Sequence, residues 1–279
     1  MRSIALAAVA AAVLAGICVR PAVAAPAEAV EIESGAIKIK ALLFKPEGAG
    51  PFPAVVGLHG CDGLNNPTGN LSSRYRDWAE RLGRAGFAVI FPDSLGARGL
   101  ENQCRNRKSI LRTNVERVAD ANAARVWLQK QSFIKPDRVS LVGWSNGGIS
   151  VLWTVRPRAL VKDEHPDFRS AIAFYPGCNR LDATAWSARV PTLILIGSAD
   201  DWASAKQCER MVANARGRSA RVSLVVYPGA YHDFDHPNRA VQVRTGYAFS
   251  TDASGRVHTG TNPQARADAL KRVPEWLAR

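Results

Sequence analysis

The stretch Leu141-Val142-Gly143-Trp144-Ser145-Asn146-Gly147-Gly148 decides the fold of this 279-residue chain. It begins within the mostly apolar run 139–142, which predicts a buried strand, and it leads into residues 147–155, which are compatible with a helix. A serine between strand and helix in the pattern G-x-S-x-G occupies a strained turn that exposes its hydroxyl at the sheet edge. Glycine fits two residues to either side, because a side chain there would collide as the helix folds back onto the strand.

Strand-like and helix-like segments alternate from residue 30 to the end of the chain. Most of the strands are continuous apolar runs without polar alternation, which is typical of parallel strands buried on both faces. The sequence therefore predicts an α/β fold with a mostly parallel central sheet and helices on both faces. No shift in composition marks a linker, and 47% hydrophobic residues suffice for one large core. Residues 28–279 are predicted to form one domain.

Two of the predicted helices have patterns that can be checked in detail. Residues 113–131 should form a helix whose buried stripe consists of Val115, Val118, Ala119, Ala123 and Val126. Residues 263–278 should form the closing helix. Pro274 is expected to kink that helix or end it early, since proline lacks the N–H that the helix requires.

A serine at such a turn needs a base to take its proton and an acid to orient that base. In this class of fold the order along the chain is nucleophile, acid, histidine. The predicted strand 192–196 runs into the segment Gly197-Ser198-Ala199-Asp200-Asp201. Asp200 lies nearer the strand end and is the preferred acid. Asp201 stays open as an alternative, because it could instead cap the helix that begins near Trp202.

Two histidines, His232 and His236, follow the predicted strand 221–227. His232 comes first on the loop and is the preferred base, with His236 as the alternative. Together with Asp233 and Asp235 the two histidines could also be interpreted as a metal cluster. Histidines four apart share a face only on a helix, and this loop has Pro237 and no helical pattern, so we predict no metal and no cofactor.

Attack by Ser145 on a carbonyl also requires two N–H donors for the oxyanion that forms. The first donor predicted is the backbone N–H of Asn146, the residue after the nucleophile. The second is the backbone N–H of Cys61, in the glycine-containing loop His59-Gly60-Cys61-Asp62-Gly63 that follows the predicted strand 54–58. His59 is interpreted as a structural residue that braces this loop.

Residues 1–24 are predicted to be an export signal that is removed from the mature chain. Arg2 supplies a positive start, an apolar run follows, and Ala22-Val23-Ala24 forms a small-x-small cleavage site. The apolar run is too short for a stable membrane anchor. The formal charge of the chain is +13, but the sequence has no basic run interleaved with aromatic residues. We therefore expect a basic surface and no nucleic-acid partner. The predicted location is periplasmic or extracellular.

Four of the five cysteines remain after the predicted cleavage, and an even number in an exported chain allows two disulfides with three connectivities. The preferred pairs are Cys61–Cys104 and Cys178–Cys208. Each would join neighbouring loops at the edge of the sheet where the serine emerges. Four free buried thiols are the alternative.

These motifs resemble the dienelactone hydrolases and related α/β-hydrolases over residues 35–279. The resemblance depends on five segments in a fixed order: Leu58-His59-Gly60-Cys61-Asp62-Gly63, Phe91-Pro92-Asp93-Ser94, Gly143-Trp144-Ser145-Asn146-Gly147-Gly148, Gly197-Ser198-Ala199-Asp200 and Tyr231-His232-Asp233-Phe234. It implies an α/β-hydrolase sheet of about eight strands, no metal, and hydrolysis of an ester or lactone.

The chain departs from the founding members of that family at two positions. They use a cysteine nucleophile and a glutamate on the first oxyanion loop, where this chain has Ser145 and Gly60. They also bind an anionic substrate with arginines, a role that the resemblance suggests for Arg98. Trp144, next to the nucleophile, is the second candidate substrate contact.

The sequence therefore predicts an exported serine hydrolase that cleaves a small-molecule carboxylic ester or lactone through a Ser145–His232–Asp200 triad and an acyl-enzyme intermediate. Two alternatives stay open. One is a binding protein without catalysis on the same fold, and the other is a peptidase on that fold.

Overall fold

The computed structural model describes residues 27–108, 111–157 and 164–279. Eight strands form one sheet in the order β1-β2-β4-β3-β5-β6-β7-β8. The β1–β2 and β2–β4 pairs are antiparallel, and all pairs from β4 through β3 to β8 are parallel. The strands are β1 (Glu28–Ser34), β2 (Ile37–Phe44), β3 (Phe52–Leu58), β4 (Ala88–Pro92), β5 (Ile134–Trp144), β6 (Ala171–Phe174), β7 (Thr192–Gly197) and β8 (Val222–Tyr227). The mostly parallel α/β sheet predicted from the sequence is confirmed.

Helices connect the parallel strands. They are α1 (Ser73–Arg84), α2 (Glu116–Gln129), α3 (Asn146–Thr154), α4 (Asn179–Asp182), α5 (Ala205–Ala215) and α6 (Pro263–Ala278). The connection from β3 to β4 runs in the opposite direction across the sheet to the connections from β4 to β5 and from β5 to β6. Since such crossovers are right-handed, α1 lies on one face of the sheet and α2 and α3 lie on the other. An Arg266–Asp77 ion pair of 2.8 Å joins α6 to α1.

The central strands are fully buried. All five residues of β4 and all six of β7 are buried, as expected for parallel strands covered on both faces. The carboxyl ends of the parallel strands β3 to β8 meet at one edge of the sheet, and ligands bind outside that edge in open α/β sheets. A short β-hairpin, β9 (Gln242–Arg244) with β10 (Val257–Thr259), belongs to the long segment that follows β8.

The buried face predicted for α2 is wrong. Val115 lies before the helix and is 42% exposed, and Ala119 is exposed as well. The helix instead buries Arg117, Asp120 and Arg125 beside its alanines and Leu128. The charged side chains can be inside because each has buried partners. Asp120, for example, accepts hydrogen bonds from Arg98 and from Ser34.

Pro274 does not end α6 early. The helix continues through it to Ala278, because Val273, Trp276 and Leu277 around the proline are buried against the core. Tertiary packing therefore outweighs the local cost of proline here.

The predicted export signal, residues 1–24, lies outside the described residues. Within the described part of the chain, no helix combines the length and the apolar character that a membrane span requires. The structure has both preferred disulfides, Cys61–Cys104 and Cys178–Cys208. Such bridges are compatible with an exported protein.

Candidate active site

Ser145 lies between β5 and α3 in a conformation that few residues other than glycine adopt, with φ 53° and ψ −114°. The flanking glycines make this turn sterically feasible. A Cβ atom on Gly143 would lie 2.4 Å from the carbonyl oxygen of Gly147, and one on Gly147 would lie 2.0 Å from that of Leu58. The strained turn directs the serine hydroxyl away from the sheet and toward the loops beyond it.

The hydroxyl of Ser145, the imidazole of His232 and the carboxylate of Asp200 form a continuous hydrogen-bonded chain. Ser145 Oγ lies 2.9 Å from His232 Nε2, and His232 Nδ1 lies 2.7 Å from Asp200 Oδ2. His232 is 2% exposed and Asp200 is 6% exposed. The three residues come from the ends of β5, β7 and β8, so the fold brings together positions that lie 55 and 32 residues apart in the chain.

The two adjacent aspartates that the sequence analysis left open have different partners. Asp200 Oδ1 accepts hydrogen bonds from the backbone N–H groups of Trp202 at 2.9 Å and Ala203 at 2.8 Å, while its other oxygen faces His232. Asp201 turns the opposite way and binds His258, with 2.7 Å between its Oδ2 and His258 Nδ1. His236 contacts the Ser73 hydroxyl at 3.2 Å, and no hydrogen bond between described residues joins it to Ser145. Asp200 and His232 are thus the pair that reaches Ser145.

Aromatic rings flank the imidazole of His232. The ring centroid of Tyr175 lies 4.4 Å from that of His232, and the centroid of Trp202 lies 4.7 Å away. Burial acts to lower the pKa of His232, but the charge and hydrogen bond of Asp200 together with the charge of Asp233 outweigh it and raise that pKa overall. The arrangement therefore favours the protonated form of the His232 imidazole.

The two predicted oxyanion donors lie at the ends of β5 and β3. No described residue accepts a hydrogen bond from the Cys61 N–H, and the Asn146 N–H belongs to the first residue of α3, where it has no partner within the helix. The neighbouring N–H of Gly60 is already bound to the Tyr75 hydroxyl at 2.8 Å. Both Cys61 and Asn146 line the same cavity as Ser145 and His232.

That cavity has a volume of about 500 Å³. Its charged lining residues are all arginines, namely Arg107, Arg117 and Arg180. Arg107 and Arg180 are exposed, and neither guanidinium has an ion-pair partner among the described residues. The remaining lining residues include apolar and amide side chains from loops and from the helices α3, α4 and α5, among them Leu95, Gln103, Asn106, Ile149, Asn179, Gln207 and Phe249. The cavity therefore presents positive charge and no described negative side chain to a bound molecule.

Both substrate contacts predicted from the sequence have partners within the protein. Arg98 does not line the cavity, because its guanidinium binds both carboxylate oxygens of Asp120 at 2.9 Å and the Ser94 carbonyl oxygen at 2.8 Å. Trp144 is fully buried on the far side of the serine, where its Nε1–H donates to Asp235 at 2.8 Å. Arg107 and Arg180 are the exposed arginines that line the cavity, and no motif distinguishes them in the sequence from other arginines.

Asp235 organises a buried polar network behind His232 that the sequence analysis did not foresee. Its carboxylate is fully buried and accepts hydrogen bonds from Trp78 Nε1 at 2.7 Å, from Trp144 Nε1 and from the Tyr175 hydroxyl at 2.7 Å. Asp233 next to it forms ion pairs with Arg74 and Arg239. The carboxylates of Asp233 and Asp235 therefore have partners other than a metal, and no group of metal-binding side chains occurs among the described residues.

The disulfides lie beside the cavity. Cys61 and Cys104 are joined, and both line it. The Cys61 carbonyl oxygen accepts a hydrogen bond from Gln103 N–H at 2.8 Å, and the Cys104 carbonyl oxygen accepts one from Ala248 N–H at 2.9 Å. The loop that carries the predicted oxyanion donor Cys61 is thereby tied to other segments that line the cavity.

The chain is similar to known hydrolases in sequence and in fold. The model of the dienelactone hydrolase family matches residues 39–279. A Bradyrhizobium protein named "Probable 2-oxo-3-(5-oxofuran-2-ylidene)propanoate lactonase" is 24% identical over 210 residues, which are 70% of this chain and 78% of that protein. Among solved structures, the dienelactone hydrolase of Anabaena variabilis superposes with a TM-score of 0.61 at 20% identity over 91% of this chain and 97% of that one.

The fold is shared with larger enzymes as well. Dipeptidyl peptidase 4 of Porphyromonas gingivalis superposes with a TM-score of 0.65 at 16% identity, covering 91% of this chain but only 35% of the peptidase. The structural likeness therefore establishes the α/β-hydrolase fold and no particular reaction. The match of the family model, which spans nearly all of the predicted domain, is more specific, and the chain belongs to the dienelactone hydrolase family as a hydrolase of the ester or lactone type.

Proposed function

We propose that the protein cleaves a carboxylic ester or lactone through a Ser145–His232–Asp200 triad and an acyl-enzyme intermediate. The single observation that carries this proposal is the hydrogen-bonded chain from Ser145 Oγ through the imidazole to Asp200, with distances of 2.9 Å and 2.7 Å. A triad is recognised by geometry and roles of this kind, and the strained turn at Ser145 supports the assignment.

In the proposed reaction, Ser145 Oγ attacks the carbonyl carbon while His232 Nε2 takes the hydroxyl proton. The resulting oxyanion accepts hydrogen bonds from the N–H groups of Cys61 and Asn146, and each such donor is worth roughly 3 kcal/mol in the transition state. His232 then gives the proton to the leaving alkoxide, and the acyl group stays on Ser145. The same imidazole takes a proton from water, whose oxygen attacks the acyl carbon. The imidazolium then returns the proton to Ser145 Oγ as the acid leaves. Asp200 holds the imidazole in the tautomer that these steps require.

The charge of the cavity supports a substrate that carries a carboxylate near the scissile bond. The exposed guanidinium groups of Arg107 and Arg180 line the cavity without ion-pair partners among the described residues. The Bradyrhizobium relative is named for a lactone that is also a propanoate. Arginine recognises carboxylates through paired hydrogen bonds, which would orient such a substrate.

The two alternative functions, a binding protein without catalysis and a peptidase, predict results with simple substrates that differ from those of an esterase. A binding protein without catalysis would not turn over esters, although the complete hydrogen-bonded triad favours catalysis. A peptidase would cleave aryl amides of amino acids in preference to aryl esters. The neighbouring peptidase is nearly three times as long as the part that superposes on this chain.

The test is hydrolysis of a panel of aryl esters and lactones, each as a neutral and a carboxylate-bearing version, by the purified protein. We expect turnover by the wild type and a preference for the carboxylate-bearing member of each pair. Ser145→Ala should lose this turnover while its thermal unfolding stays normal. Ser132→Ala, which changes an exposed serine before β5, is the matched control and should keep full activity. Equal turnover by Ser145→Ala and the wild type would refute the proposal.

We also propose that the protein is exported, with residues 1–24 as the signal. The two disulfides support this proposal, because such bonds persist in oxidising compartments. Expression of the full chain in a bacterium followed by mass spectrometry of the periplasmic fraction should find a mature chain that begins near Ala25. A full-length chain in the cytosol would contradict it.

A further inference from the structure

Arg117 is a buried cation directly beneath the cavity. It lies in the first turn of α2, its side chain is 1% exposed, and it contributes to the cavity floor. Its Nη1 donates to the side-chain oxygen of Asn146 at 2.7 Å, and its Nη2 donates to the backbone carbonyl oxygen of His59 at 2.8 Å. One guanidinium therefore bridges the start of α3 and the loop after β3, which carry the two proposed oxyanion donors.

The position is unfavourable for a charged residue that serves stability alone. Burial lowers the pKa of Arg117 to about 10, with the negative charge of Asp120 as the largest opposing influence. Both oxygens of Asp120 are occupied by Arg98, so Arg117 has no direct carboxylate contact among the described residues. Its Nε–H also lacks a hydrogen-bond partner there. An apolar side chain would avoid this desolvation, which makes a role in the site the better explanation.

The two segments that Arg117 bridges also touch each other. The backbone of Gly147 packs so closely on the carbonyl groups of Leu58 and His59 that no side chain fits between them. The distance between the N–H groups of Cys61 and Asn146 therefore depends on how these segments are held. We infer that Arg117 is a positioning residue that fixes the spacing of the Cys61 and Asn146 N–H groups, an inference that rests on the proposed hydrolytic function.

Arg117 acts on the transition state more than on substrate binding. Its two identified donors point at Asn146 and His59, so the substrate meets the backbone N–H groups that the guanidinium holds in place. The guanidinium stays cationic at neutral pH, and it adds positive potential at the cavity floor where the oxyanion forms. Loss of this brace should lower kcat and leave KM nearly unchanged, since misplacement of catalytic groups by about 1 Å can slow a reaction about 100-fold.

The first experiment replaces Arg117 by methionine and by lysine in the full protein. The rate is normalised to active sites that are titrated with a fluorophosphonate, so that partial misfolding does not count as lost catalysis. We expect kcat to fall about 10- to 100-fold in Arg117→Met, with KM within about threefold of the wild type. Arg117→Lys keeps the charge but cannot form both bridges, so we expect an intermediate kcat. Arg112→Met removes an exposed arginine ahead of the same helix and should leave kcat unchanged.

The inhibition constant of a trifluoromethyl ketone separates a positioning role of Arg117 from a purely structural one, because a structural role would leave this constant unchanged in correctly folded protein. The hemiketal adduct of the ketone with Ser145 carries the oxyanion, so the inhibition constant should rise in proportion to the loss of kcat/KM across the variants. The affinity for the reaction's alcohol product, which carries no negative oxygen, should stay within about threefold. A normal kcat in both Arg117 variants, or equal losses of ketone and product affinity, would overturn the inference.

A double-mutant cycle covers the case in which Arg117→Met fails to fold. Asn146→Ala keeps the backbone N–H and removes only the side-chain oxygen that Arg117 binds. We expect Asn146→Ala to lower kcat severalfold in the wild type and to have a clearly smaller effect beside Arg117→Lys. Additive effects would contradict the inference. Absence of ester hydrolysis by the wild type would instead refute the proposed function itself, so the two failures are distinguishable.

Discussion

Asp200 and Asp201 are neighbours in the chain, yet their carboxylates bind two different histidines. Asp200 faces His232 at 2.7 Å, and Asp201 faces His258 at the same distance. The turn after β7 sends one side chain inward and the other outward. The side chain of Asp200 is 0% exposed, whereas that of Asp201 is 34% exposed. This division predicts very different effects for two otherwise equivalent substitutions.

Asp200→Asn should lower kcat by about 10³- to 10⁴-fold, because an amide at this position favours the wrong tautomer of the histidine. Asp201→Asn is the matched control and should change kcat by less than about threefold, since its partner His258 has no contact with Ser145. Steady-state kinetics on one aryl ester checks both variants. A large loss in Asp201→Asn with a normal Asp200→Asn would reverse the assignment of the acid.

The acid limb of the pH–rate profile should lie above pH 6.5, the ordinary pKa of histidine. His232 acts as a base only when neutral, and although burial opposes it, Asp200 and Asp233 raise the pKa of His232 overall. Lowering the pH through this raised value protonates the imidazole and removes activity. Measurement of kcat/KM between pH 5 and 9 gives the limb, and a value clearly below 6.5 would contradict the electrostatic assignment.

Loss of the Asp235 carboxylate should destabilise the protein strongly. Asp235→Ala leaves the N–H groups of Trp78 and Trp144 and the hydroxyl of Tyr175 buried without an acceptor. Each unsatisfied donor costs about 1–3 kcal/mol, so we expect the free energy of unfolding to fall by at least about 3 kcal/mol. Urea unfolding followed by circular dichroism measures the change. Asp137→Ala, at an exposed position in β5, should leave the free energy unaffected. A small effect in Asp235→Ala would show that the network is dispensable.

The Cys61–Cys104 disulfide should support both stability and catalysis. Replacing both cysteines by alanine should lower the free energy of unfolding by about 2–4 kcal/mol. It should also lower kcat, because Cys61 carries a proposed oxyanion donor and Cys104 lines the cavity. The matched Cys178→Ala/Cys208→Ala variant should lose similar stability and keep kcat. Peptide mapping without reduction should find Cys61 linked to Cys104, and free thiols at both positions would contradict the pairing.

Local pattern and chain order were sufficient to predict the sheet and the residues at its carboxyl edge. The apolar runs of β3, β4 and β7 match their burial, and Ser145, Asp200 and His232 each follow a strand as predicted. Such residues are predictable because the fold itself dictates where loops meet.

Contacts that depend on a specific partner far along the chain could not be predicted. Arg117 occupies a polar position in the α2 pattern and is buried only because Asn146 and His59 meet it, 29 and 58 residues away. Arg98 fails as a substrate contact for the same reason, since Asp120 binds it inside the protein. Periodicity identifies a buried face when that face is apolar, and it fails when the interior supplies polar partners.

The most direct test of the central claim is to label the protein with a fluorophosphonate and to identify the modified residue by peptide mass spectrometry. The reagent reacts with a serine only when a base and an oxyanion site activate it. We predict one label per chain, located on Ser145, and its absence in Ser145→Ala and in His232→Ala. A wild-type protein that stays unlabelled would contradict the proposed triad. So would a label on another residue, if the Ser145→Ala variant still hydrolyses esters.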